Sequence, residues 1–291
     1  MSSVTRPAAA LLVSLMTLGV RATAAPQTAR AIDITTRARS FQPGELVVVT
    51  ATAPSAVDSL RVRALGRTVA AFKVDERTWQ ALLGIDLSAT PGRYPISVET
   101  ATGRRLGQSS LTLTSKSFPT RRLRVDPEFV NPPPVALERI EREAIELAAV
   151  WTTPADERLW SGGFVAPVPE QATGSFGQRS VFNGQPRSPH GGADFPSPEG
   201  TPIQAPNGGR IVLARDLYFT GNTIVIDHGL GLFSLLAHLS SFAVGEGDRV
   251  AAGQFVGAVG ATGRVTGPHL HWAVRAGDAR VDPLSVLALL R

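Results

Sequence analysis

The stretch Gly267-Pro268-His269-Leu270-His271-Trp272 decides how the chain is read. Continued to Arg275, it has the composition of a β-strand, His269 to Arg275. Successive side chains on a strand point to opposite faces, so His269 and His271 share one face while Leu270 and Trp272 share the other. One face is then free to bind a metal, and the other packs into a core. Two histidines on a half-exposed strand are equally compatible with a plain structural role, so the remaining histidines carry the weight.

The chain has five histidines, His190, His228, His238, His269 and His271, and none before residue 190. His190 opens His190-Gly191-Gly192-Ala193-Asp194, an HxxxD. Zinc takes imidazole nitrogen and carboxylate oxygen, and a catalytic site uses three protein ligands plus a water in the open position. This sequence offers such a set, with spare histidines to act on the water.

Working outward, 291 residues suffice for two modest domains, and 43% hydrophobic against 18% charged residues gives real cores rather than a disordered chain. Residues 1–24 read as a secretory signal: Arg6 supplies the positive start, Ala8 to Val20 the apolar run, and Ala22-Thr23-Ala24 the small-residue cleavage pattern. The expected location is therefore the periplasm or another exported site. With no cysteine, there is no disulfide, no thiol nucleophile and no thiolate ligand. The net charge of +5 comes mostly from scattered arginines, with lysine only at 73 and 116. That scatter, in an exported chain, argues against nucleic acid and for at most a weak contact with an anionic envelope surface.

Residues 31–115 read as a β-sandwich-like domain. The expected strands are Glu45–Ala51, Ser59–Leu65, Thr68–Val74, Thr78–Ile85, Arg93–Thr100 and Ser109–Thr114, separated by turns such as Pro91-Gly92. No catalytic constellation is found there. Residues 116–161 read as a linker: an irregular basic segment, then a helix over Val135–Thr152. Leu137, Ile140, Ile145, Leu147 and Val150 form its apolar stripe, and Glu138, Arg139, Glu141, Arg142 and Glu143 form a solvated face. Residues 162–291 form the third region. Gly162–Arg187 reads as a long ordered loop, strands are expected at Pro202–Gln204, Arg210–Leu213, Asn222–Asp227, Leu232–His238, Gln254–Val259 and His269–Arg275, and a helix at Pro283–Leu290 closes the chain.

These motifs resemble the lysostaphin-type (LytM-like) zinc metallopeptidases, which cut peptide bonds in peptidoglycan. The resemblance covers Gly162 to Leu290. It rests on Phe182-Asn183-Gly184, the HxxxD at His190, Gly200-Thr201-Pro202, Gly221-Asn222, Asp227-His228-Gly229, Ala237-His238-Leu239 and Thr262-Gly263 through Trp272, all in family order. It implies a mainly β protein whose C-terminal, β-rich peptidase domain has the family's duplicated hybrid motif. It implies His190, Asp194 and His271 as zinc (Zn2+) ligands and His238 and His269 as the unligated catalytic pair. The implied activity is hydrolysis of peptidoglycan peptide cross-links by metal-activated water, with peptidoglycan stems as partner. His228 is expected to be structural, and Asn183 and Asn222 to serve turns rather than the groove. One departure is Leu236, where the family has tyrosine, which removes a hydroxyl expected at the groove edge.

Two rival readings fail on the residues. Biotinyl or lipoyl carriers need an acceptor lysine, and the C-terminal region has none. A histidine phosphocarrier does not fit an export signal. The serious alternative is a non-enzymatic wall-binding protein that activates other hydrolases.

Overall fold

The computed structural model describes residue 2, residues 31–124 and residues 130–291. The expected signal over residues 1–24 lies, apart from residue 2, outside the described residues. Residues 31–291 form one compact unit built on a two-sheet sandwich and a larger C-terminal sheet.

The first layer pair is a sandwich. Its strands are β1 (Asp33–Arg37), β2 (Leu46–Thr52), β3 (Leu60–Ala64), β4 (Arg67–Ala70), β5 (Phe72–Lys73), β6 (Thr78–Gly84), β7 (Gly92–Thr100) and β8 (Arg105–Leu113). They form two antiparallel sheets, in the orders β1-β2-β6-β5 and β4-β3-β7-β8. On β3 the alternation is strict: Leu60, Val62 and Ala64 are buried, and Arg61 and Arg63 are exposed. The single strand expected over Thr68–Val74 is two short ones in different sheets. The chain crosses the sandwich edge at Ala71, whose N–H still bonds to the Leu60 carbonyl.

β2 and β6 are buried on both faces, which explains why β2 reads as a continuous apolar run. Val47, Val49, Ala51, Ala81 and Leu83 fill the sandwich core. The alternate residues Leu46, Val48 and Leu82 join the core of the C-terminal half. Charged pairs ring this seam. Arg39 bonds both Glu45 (2.9 Å) and Asp282 (2.6 Å), and Arg280 grips both oxygens of Asp86 at 2.9 and 3.1 Å. Burial pushes the Asp86 carboxyl up, but the Arg280 guanidinium and N–H outweigh it and hold the group well below the usual carboxylate range.

After β9 (Thr120–Leu123) comes α1 (Pro134–Thr152), with Pro134 in its first turn. Leu147, Val150 and Trp151 pack on Phe233 and Leu213, whereas Leu137 and Ile145 of the expected stripe are exposed. The charged face is not simply solvated. Arg139 bonds Asp216 (2.8 Å), Glu143 accepts the Tyr218 N–H (2.8 Å), and Glu146 accepts from Arg215 (3.1 Å). The helix packs on the C-terminal sheet, where Leu147 and Val150 of one stripe and Arg139 and Glu143 of the other find partners.

The C-terminal strands are β10 (Arg179–Phe182), β11 (Gln185–Pro186), β12 (Gly192–Phe195), β13 (Pro202–Gln204), β14 (Gly209–Leu217), β15 (Gly221–Gly229), β16 (Leu232–Phe242), β17 (Arg249–Val250), β18 (Phe255–Val259), β19 (Leu270–Ala276) and β20 (Ala279–Val281), followed by α2 (Pro283–Leu289). The main sheet runs β12-β19-β16-β15-β14-β17, with β13 and β18 joined to it through β16 and β20 through β19. The Gly162–Arg187 segment is not all loop. β10 pairs in parallel with β9 and antiparallel with β11, making a small sheet. Asn183 and Gly184 turn that hairpin with φ of 51° and 83°, the left-handed pair that a two-residue β-turn requires.

Candidate metal centre

Strand register brings the expected ligands together. β12 runs antiparallel to β19, and Asp194 sits directly opposite His271. His190 lies just before β12, held by its N–H to Gln178 O (2.9 Å) and its carbonyl to Gly177 N (2.8 Å). The result is a triangle of donor atoms. His271 Nδ1 is 2.8 Å from Asp194 Oδ1, His190 Nε2 is 3.1 Å from the same oxygen, and the two nitrogens are 3.1 Å apart. Ligands about 2.0–2.2 Å from zinc at tetrahedral corners stand roughly 3.3 Å from one another, so these three atoms fit one small cation with only slight opening. Among the described residues this is the one His/Asp group that could hold a metal. Burial pushes the Asp194 carboxyl up, yet hydrogen bonds from His190 and His271 prevail and keep it ionised far into acid. Burial, first of all, depresses the His271 imidazole, which favours the neutral form a ligand needs. Gly192 makes room: a Cβ there would stand 2.8 Å from the His271 ring.

His238 and His269 stand beside the triangle, not in it. Their rings are 4.8 Å apart, and His238 is 6.0 Å from His271. His269 precedes the first residue of β19 by one position, and both it and His271 border the same groove. His238 Nδ1 meets Thr262 O at 3.0 Å, and His269 Nδ1 meets Gly267 O at 2.9 Å. A carbonyl only accepts, so in each ring Nδ1 carries a proton, and in the neutral ring Nε2 holds the lone pair. Burial, helped by His271, brings the His238 pKa down to about 4. His238 also takes φ of 68°, a conformation costly for histidine, which breaks the strand alternation and turns its ring toward His269.

His228 is fully buried on another part of the sheet and takes no part in this cluster. Trp272 Nε1–H donates to Ser234 Oγ (3.1 Å), Ser234 to His228 Nε2 (2.9 Å), and His228 Nδ1–H to Gly208 O (2.7 Å). Asn222 likewise serves the frame: its Nδ2 donates to Leu239 O and its N–H to Thr262 Oγ1. Leu236 is fully buried opposite Trp272, so that position presents nothing to the groove edge. The groove itself, about 610 Å³, is walled by Arg121 and Leu123 of β9 and by Ser180 and Phe182 of β10. None of its lining residues comes from β1–β8. Sequence reasoning missed β9 as a wall, because a short basic segment carries no apolar alternation. It also missed the Thr262 carbonyl that orients His238, since a backbone group has no side-chain signature.

The comparisons with known proteins agree with this geometry. The model of Peptidase family M23 matches residues 188–283. The DD-carboxypeptidase/endopeptidase Mpg of Neisseria meningitidis serogroup B is 43% identical over 97 residues, covering 33% of this chain and 22% of Mpg. The peptidoglycan DD-endopeptidase ShyA of Vibrio cholerae is 45% identical over 85 residues, 29% of this chain and 20% of ShyA. The chain thus spans about a fifth of the length of these curated relatives. A crystal structure from Pseudomonas aeruginosa assigned to peptidase M23 superposes with a TM-score of 0.69 at 34% identity, over 86% of this chain and 96% of the other. That likeness runs through the sandwich as well as the metal centre, and on it the chain belongs to peptidase family M23.

Proposed function

We propose that the protein is an exported zinc metalloendopeptidase that hydrolyses peptide cross-links of peptidoglycan. The observation that carries this is the triangle of His190 Nε2, Asp194 Oδ1 and His271 Nδ1 with two further imidazole lone pairs alongside. These three residues would hold the zinc. Bound there, the metal would lower the pKa of a water to about 7 and polarise the scissile carbonyl. His238 and His269 do the proton work. Each has its Nδ1 proton tied to a backbone carbonyl, so Nε2 can take a proton from the attacking water and, once protonated, give it to the leaving amine. A protonated imidazole also donates to the oxyanion that forms at the carbonyl. The names of the relatives, a DD-carboxypeptidase/endopeptidase and a peptidoglycan DD-endopeptidase, support a bond between two D-centres, and D-alanyl–diaminopimelate bridges are the proposed substrate.

Purified protein incubated with defined cross-link peptides, with and without a chelator, tests the reading. Expected are two products whose masses sum to the peptide plus one water, and none with chelator. An intact peptide at full zinc loading would favour the wall-binding activator instead.

A further inference from the structure

The small sheet beside the metal centre carries a charged row. In register, Arg121 of β9 pairs with Ser180 of β10, and on the other side the Arg187 N–H bonds to the Ser180 carbonyl at 2.8 Å. Arg121, Ser180 and Arg187 therefore lie side by side across three adjacent chain segments, spaced by about 4.8 Å per step. All three border the groove that holds His190, Asp194, His238, His269 and His271. Arg264 borders it too, with its guanidinium stacked on Phe219 at 4.4 Å. Among the described lining residues the one carboxylate is Asp194, already engaged by His190 and His271. Among the described residues, three arginines thus line the groove against one carboxylate.

The row is built to receive something. Arg121 makes no side-chain hydrogen bond or ion pair among the described residues, and the Arg187 Nε–H is buried without a partner. Arg187 Nη2 donates to Val130 O (2.9 Å) and Gln185 Oε1 (3.2 Å), which fixes the guanidinium in place. Arg121 also borders the neighbouring depression lined by Thr173, Ser175 and Gln178, and both hollows reach Asp194 and His269. A guanidinium fork matches a carboxylate in two parallel hydrogen bonds.

We propose that Arg121, Ser180 and Arg187 form a carboxylate subsite, which selects peptides bearing a free carboxylate close to the bond that is cut. The inference rests on the endopeptidase reading above and adds the substrate chemistry that the metal centre alone does not specify. It also gives the segment between the sandwich and α1 a direct part in recognition, although that segment lies outside residues 188–283.

The test uses the zinc-loaded full chain and three cross-link peptides: the free acid, one amidated at its C-terminus, and one amidated at the side-chain carboxylate nearest the cut. Wild type should cut one amidated peptide about 10–100-fold less efficiently in kcat/KM, with the change in KM; which one identifies the source of the carboxylate. Arg121→Gln should bring that ratio close to one, and Arg121→Lys, which keeps the charge but not the fork, should restore part of it. Equal cutting of all three by wild type, or unchanged discrimination in Arg121→Gln, overturns the subsite. Calorimetric binding of the same peptides decides the matter even where nothing is cut. Tighter binding of the free acid that Arg121→Gln abolishes sustains the subsite, and equal binding overturns it. Absence of cleavage by itself sinks only the peptidase reading.

Discussion

His228 and His238 occupy two regions of one sheet under nearly the same conditions. Both are buried, burial takes both to a pKa of about 4, and both give their Nδ1 proton to a backbone carbonyl. They differ at the other nitrogen. His228 Nε2 is met by Ser234, which closes a chain from Trp272 to Gly208. His238 Nε2 has no hydrogen-bond partner among the described residues and faces a groove. Burial and a depressed pKa therefore do not separate the proposed proton carrier from a supporting histidine; the unspent lone pair does.

The largest expected effect comes from the ligand triangle. His190→Ala should lose bound zinc and cross-link cleavage together, read by metal analysis and product masses. Retained zinc with full activity would detach the groove histidines from any metal and break the contrast at its functional end. Next comes His238→Ala, expected to keep its zinc and lose about 10²–10³ in kcat. Loss of metal instead would make His238 a ligand and leave Nε2 spoken for after all. His228→Ala should do the reverse. It removes the donor to Gly208 O and the acceptor of the Ser234 hydroxyl, so it should cost about 3 kcal/mol of stability in denaturant unfolding, while the folded fraction keeps its zinc and kcat.

The subtlest effect is on pH dependence. The folded His228 pKa lies near 4, below the unfolded value of 6.5. Under acid the unfolded chain takes up the proton first, so this group's contribution is whole above about pH 6.5 and drains away as pH falls toward 4. The loss amounts to about 3 kcal/mol over that window. His228→Gln should be less stable at pH 7 yet show a shallower acid slope between pH 6.5 and 4; an unchanged slope would place the acid response elsewhere.

Much of this site was legible because its residues obey strand arithmetic. His271 and Trp272 adjoin in sequence, and alternation alone sends one to the groove and the other to the core. Asp194 was legible from its four-residue step after His190. What stayed hidden depends on pairing between distant segments. Arg121-Arg122-Leu123-Arg124 reads as a charge cluster, and only its alignment with Arg179–Phe182 makes it a strand. The charged side of α1 reads as solvated, because nothing local announces Asp216, Tyr218 and Arg215 on the facing sheet. Thr68–Val74 has the composition of one strand, and the crossing at Ala71 is set by sandwich geometry rather than by a glycine or proline.

The two-faced strands β2 and β6 have an evolutionary consequence. Gly84 packs so closely that a methyl group there would run into Ala276 and Ala279, and Leu46, Val48 and Leu82 share one interior with Val281, Val286 and Leu289. A shuffled gene that joined this peptidase to a foreign leader module would leave that strip of small and aliphatic side chains bare to water, inviting self-association. The halves are therefore expected to be inherited as a pair, and a donor of a new front half must bring a matching greasy underside with it.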